Sequence, residues 1–205
     1  MSGTRGSPLR FVVELVVVFA GVYGAFWVEG YWQKAEERER EAAILGALAE
    51  ELGNFVDQGP LVGEGMNQAL NAFQEARSRG ERVSPAYYRE PGAETPSISV
   101  WQATLSSGGV NLLESELFFD LAELYNRVES FSERYIRYNT VTEREVLPLL
   151  SRGPDAFYDP SSGDLDSRFE VHMDQLRTLR DEVSFIVARA DTLRSQVRAS
   201  LEELR

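Results

Sequence analysis

Residues 176–201 read LRTLRDEVSFIVARADTLRSQVRASL. Leu176, Leu179, Val183, Ile186, Ala190, Leu193, Val197 and Leu201 recur in three- and four-residue steps, a sustained heptad rhythm. A run of that kind is a helix with one apolar seam, and a seam needs other helices against it. Ser167-x-x-Glu170, just upstream, has the form of a capping box, so the helix is expected over 165–204.

Working back along the chain, the partners come into view. Leu117, Leu121, Leu124, Val128, Phe131, Tyr135 and Tyr138 keep a 4-3-4-3 spacing, which predicts a long helix over 115–147. Pro148 and SRGPDAFYDPSSGD (151–164) are expected to end it. SVWQATLSSGG (99–109) reads as a short helix over 98–106 closed by glycine. SRGERVSPAYYREPGAETPS (78–97) has the proline, glycine and charge of a loop. Met66, Leu70 and Phe73 mark a helix over 62–78. QKAEERERE (33–41) followed by Leu45, Leu48, Leu52 and Phe55 marks another over 34–56, expected to stop before Gly59-Pro60. No alternating strand pattern interrupts the series. The expected fold is all-α, an antiparallel long-helix bundle or coiled-coil-like domain over residues 34–205.

In front of that domain stands FVVELVVVFAGVYGAFWV (11–28), apolar except for Glu14. About eighteen residues at ~1.5 Å rise give roughly 27 Å, close to the hydrocarbon thickness of a bilayer. Trp27, Tyr31 and Trp32 sit where membrane-interface anchors belong, and Pro8 suits a first helical turn. A cleaved signal peptide ending at Val18-Phe19-Ala20 is the competing reading; it would put Glu14 inside a short apolar region, and the apolar run continues past it. Residues 11–33 are therefore expected to be an uncleaved transmembrane helix after a short basic tail, 1–10, that carries Arg5 and Arg10.

Glu14, Gly21 and Ala25 share one helical face, and Ala20 and Gly24 add a second small pair at four-residue spacing. Small residues let another helix approach closely, so these five residues are the candidate helix–helix interface in the membrane. Glu14 either hydrogen-bonds a partner there or snorkels to the headgroups. Basic residues flank the span on both sides, Lys34, Arg38 and Arg40 following it. A basic tail held inside and a long acidic domain translocated is the favoured orientation: N-terminus cytoplasmic, domain periplasmic.

Composition narrows the chemistry. A net charge of -12 disfavours binding to nucleic acid and lying flat on anionic lipid. There is no cysteine and a single histidine, His172, which removes thiolate, iron–sulfur and most zinc or Ser–His chemistry. No histidine lies in the span to ligate a haem. Asp159, Ser161, Asp164 and Glu170 resemble a calcium loop loosely, but Gly163 stands where a ligand is needed and Asp164 where the glycine should be. SSGG (106–109) is a turn without a paired base, and Glu114 and Glu116 are ordinary helix-surface acids. No catalytic, metal or cofactor-binding residue is expected. Tyr87 and Tyr88, in the proline-flanked loop, either contact a partner or cover the end of the bundle.

Two stretches carry a resemblance. The first is Glu14, Gly21, Ala25 and Trp32 running into LGALAEEL (45–52); the second is Trp101-x-x-x-Leu105-x-Ser107-Gly108 with Leu112, Glu116-Leu117, Leu121 and Leu124-Tyr125. Together they resemble an uncharacterised family of small bacterial single-span membrane proteins. That resemblance implies an anchored helical domain in the bacterial inner membrane with no assigned activity. The expectation is a non-enzymatic accessory subunit docked onto integral membrane proteins of a larger complex. The alternatives are an extracytoplasmic sensor or binding module, and a scaffold that self-associates as a homodimer through the final heptad.

Overall fold

The computed structural model describes residues 8–89 and 96–204, with side chains from residue 32 onward. The α-helices of the described residues are, in order, α1 Pro8–Ser78, α2 Ser99–Ser106, α3 Ser115–Val141, α4 Leu147–Leu150 and α5 Ser167–Glu203. A 3₁₀ turn, Gly109–Leu112, precedes α3; a π turn, Thr142–Val146, joins α3 to α4. The nearest approach to a strand is one isolated bridge, Tyr158 to Leu165. The all-α expectation holds.

The heptad of α5 is used inside the chain. Leu176, Leu179, Val183, Ile186, Ala190, Leu193 and Val197 are all buried, and Leu201 packs at the edge of the same core. α1 lies along α5, and α3 lies along its other flank. Asn67 meets Arg180 and Gly53 meets Arg194, so α1 and α5 run antiparallel. Asp120 meets Arg189, while Tyr138 meets His172, so α3 and α5 are antiparallel too. All seven apolar positions of α3 named above are buried, with Tyr125 beside them.

After α1 the chain is strapped back along the bundle. The Tyr158 hydroxyl donates to the Val83 carbonyl at 2.9 Å and accepts from the Val83 N–H at 3.2 Å. α2 and the 3₁₀ turn then cover the lower part of α1, around Ile44 and Glu51. Below them, residues 32–40 of α1 are exposed all round, roughly 13 Å of bare charged helix.

Three boundaries differ from expectation, each for a tertiary reason. α1 does not stop at Gly59-Pro60 but continues through it to Ser78. Pro60 is exposed, so the Val56 carbonyl that it cannot serve is left on the solvent side. Gly59 lies against α5, where a Cβ would come within 2.3 Å of Val187 Cγ2. Leu52 and Phe55 before the proline, and Met66 and Leu70 after it, are buried in one core, which holds both halves in line. At Pro148 the α3 helix widens into the π turn instead of ending, the Leu147 N–H reaching back to the Thr142 carbonyl. The final helix is capped one residue early: the side chain of Asp166, not of Ser167, accepts from the Arg168 N–H at 3.0 Å.

Among the described residues no helix is long and apolar enough to cross a membrane. The side chains of 11–31, on which the expected span rests, lie outside the described set. The backbone there is the first part of α1.

Candidate functional site

Two buried polar centres stand at opposite ends of the bundle. The lower one is built on Glu51, at the inward face of α1 between Leu48 and Phe55, and only 5% exposed. Its carboxylate accepts from the Val100 N–H at 2.9 Å, the Trp101 N–H at 3.3 Å and the Tyr125 hydroxyl at 2.8 Å. Val100 and Trp101 open the first turn of α2, whose own N-cap, Ile98, offers no side-chain acceptor. Glu51 thus caps α2 from another helix, satisfying amides that the helix start leaves unpaired. The Tyr125 ring stacks on Trp101 at 4.9 Å, and burial together with the neighbouring carboxylate holds its hydroxyl protonated far above the usual tyrosine range. Sequence reasoning missed Glu51. The available signal was an acid set three residues after Leu48 and four before Phe55, in the middle of an apolar stripe.

The upper centre is Tyr138, Thr142 and His172. His172 is 2% exposed and stacks on the Tyr138 ring at 4.3 Å with 5° between planes. The Thr142 hydroxyl donates to the Tyr138 carbonyl at 3.0 Å. The same hydroxyl lies 3.2 Å from His172 Nε2, within hydrogen-bond distance. His172 Nδ1 is buried without a partner. Burial pushes its pKa down to about 4, in keeping with a neutral ring. Burial also pushes Tyr138 up to about 12, although its hydroxyl accepts from the Tyr88 N–H at 3.3 Å. Thr142 is the first residue of the π turn.

The residues singled out in the sequence fall elsewhere. The side chains of Glu14, Ala20, Gly21, Gly24, Ala25, Trp27 and Tyr31 lie outside the described residues. Trp32 is 69% exposed on the bare part of α1. Tyr87 and Tyr88 are half-buried against the core, and Tyr88 lies over Gly65, where a Cβ would meet its ring at 2.3 Å. The loosely calcium-like loop is a turn held by Asp159, whose carboxylate accepts from the Ser161 and Ser162 N–H groups and titrates below its ordinary range for that reason. Among the described residues no group of three or more His, Asp or Glu side chains is placed to hold a metal. Glu114 and Glu116 are exposed and unpaired with each other.

Comparison with family models, curated proteins and solved structures returned no match to this chain.

Proposed function

We propose that this protein is a single-span, non-enzymatic accessory subunit of a bacterial inner-membrane complex, anchored through residues 11–33 with its helical domain on the periplasmic side. The observation that carries the reading is the continuity of α1. One helix runs from the apolar stretch 11–28 through the charged stretch 33–41 into the bundle core at Leu45, Leu48 and Leu52 without a break. A rigid connection fixes the height and direction of the domain relative to its anchor, which suits a part that must sit in register with other parts. A charged helix exposed all round, like 32–40, belongs between two packed regions.

The interface in the membrane is assigned to Glu14, Ala20, Gly21, Gly24 and Ala25, with Trp27, Tyr31 and Trp32 at the membrane surface. The partners are integral membrane proteins and the lipid bilayer. The test is a mild-detergent pull-down of the tagged chain from its native membrane, beside a variant carrying Gly21→Leu and Ala25→Leu. Larger membrane proteins at fixed stoichiometry with the first and their loss from the second are expected. Recovery of the chain alone sinks the subunit reading, and retention of the partners by the double variant sinks the assigned face.

A further inference from the structure

The outer seam between α3 and α5 is closed by side chains that bridge the two helices. Asp120 pairs with Arg189 at 2.7 Å, the Arg127 guanidinium lies over the Phe185 ring at 4.1 Å, and Arg134 pairs with Glu182. Farther on, past the start of the π turn, Glu145 pairs with Arg168 at 3.7 Å. Between the last two pairs the series is interrupted. There an opening of about 560 Å³ is left, within the range that small-molecule sites occupy.

Its walls are of two kinds. Tyr138, Val141, Val171 and Leu179 make an apolar side, with Val171 57% exposed and Val141 39% exposed. Arg137 makes a cationic rim; Arg134 also lines the opening, but its guanidinium is held by Glu182 and the Ser130 carbonyl. Arg137 is held only by a 4.0 Å contact to Glu133, at the limit of an ion pair, and its side chain is 69% exposed, so its donors are open. Asp174 also lines the opening but is paired with Arg177. The Tyr138 ring that lines the hollow is stacked on His172, whose Nδ1 is unpartnered, and the π turn begins four residues on. π turns occur disproportionately at functional sites.

We infer that this opening is a binding site for a small amphipathic carboxylate, its anionic head on Arg137 and its apolar body against Val141 and Val171, over a floor of Tyr138 and Leu179. Guanidinium–carboxylate pairing gives the head a geometric preference, and covering the two valines supplies the apolar gain. The site stands apart from the anchor and holds whether or not the chain is a subunit of a complex.

The probe is 1-naphthoate, a rigid aromatic carboxylate, titrated calorimetrically into the full-length chain in mild nonionic detergent against empty micelles. Saturable one-to-one binding is expected, at least ten-fold tighter than that of the neutral analogue 1-naphthylmethanol. Arg137→Gln and Val171→Asp, both at exposed positions, are each expected to weaken it at least ten-fold with the melting temperature unchanged. No saturable binding overturns the site. Binding that survives Arg137→Gln, or that the neutral analogue matches, overturns the anionic head; binding that survives Val171→Asp places the ligand elsewhere.

Discussion

Replacing Glu51 with alanine strands the Val100 and Trp101 N–H groups and the Tyr125 hydroxyl together. Buried donors without acceptors are costly, so a loss of about 2–4 kcal/mol in urea unfolding is expected. Tyr125→Phe removes one donor and leaves the carboxylate its two amides, for about 1 kcal/mol. The two changes share a hydrogen bond, so the double variant should lose less than the sum. Additive losses would mean that the Tyr125 hydroxyl contributes nothing through Glu51. His172 acts through pH instead. Its folded pKa of about 4 lies below the unfolded value near 6.5, so the folded state prefers the neutral ring. Its contribution is therefore intact above pH 6.5 and is lost as the pH falls from there toward 4, by roughly 3 kcal/mol in all. Unfolding measured from pH 7 to 4 should show that slope, and His172→Phe, which keeps a ring on Tyr138, should flatten the part due to this residue. An unchanged slope in the variant would place the acid sensitivity in the carboxylates. Neither centre was legible from composition. Glu51 stands on the apolar stripe of Leu48 and Phe55, a spacing that marks an inward-facing acid without naming its partners; the lone His172 carries no such contrast, and only the helices packed around it show that it faces inward.

At the scale of the element, two adjacent residues of α1 should respond in opposite directions. Pro60 is exposed and withholds an N–H from the Val56 carbonyl, so Pro60→Ala restores a helical hydrogen bond. The looser unfolded chain offsets part of that, leaving an expected gain of about 1–2 kcal/mol. Gly59→Ala puts a methyl 2.3 Å from Val187 Cγ2, so the Val187 side chain or the helix packing must shift to admit it. An overpacking loss of about 1–3 kcal/mol is expected. Thermal unfolding of both variants checks the pair; a destabilising Pro60→Ala would mean that the proline shapes a bend the bundle requires. The same stretch shows where sequence reading failed. Gly59-Pro60 has the local chemistry of a helix stop, and α1 overrides it because apolar residues on both sides are buried in one core. Pro148 was likewise read as an end, where the chain admits it through a π turn that has no signature in residue type. The seams of α3 and α5 were legible because a periodic pattern survives any single exception.

The molecule as a whole is decided by where the α5 seam finds its partners. A heptad in isolation is compatible with pairing between chains or within one. Here α1 covers one side of it and α3 the other, and Leu176, Ala190, Leu193 and Val197 are left with no accessible surface. A homodimer through that seam would have to open the bundle and expose the apolar faces of α1 and α3, which burial of the same seam between two chains could not repay. The domain alone is therefore expected to be monomeric, any association of the full chain arising from its first 33 residues. Light scattering on residues 34–205 at micromolar concentration measures this directly, with one chain mass expected. Ala190→Leu sharpens the result: at a fully buried, close-packed position it should destabilise the monomer by about 1–3 kcal/mol without creating a dimer. A stable dimer of the wild-type domain would show that the three-helix packing is not the state in solution, and the bare helix at 32–40 would then be the first place to look for the second chain.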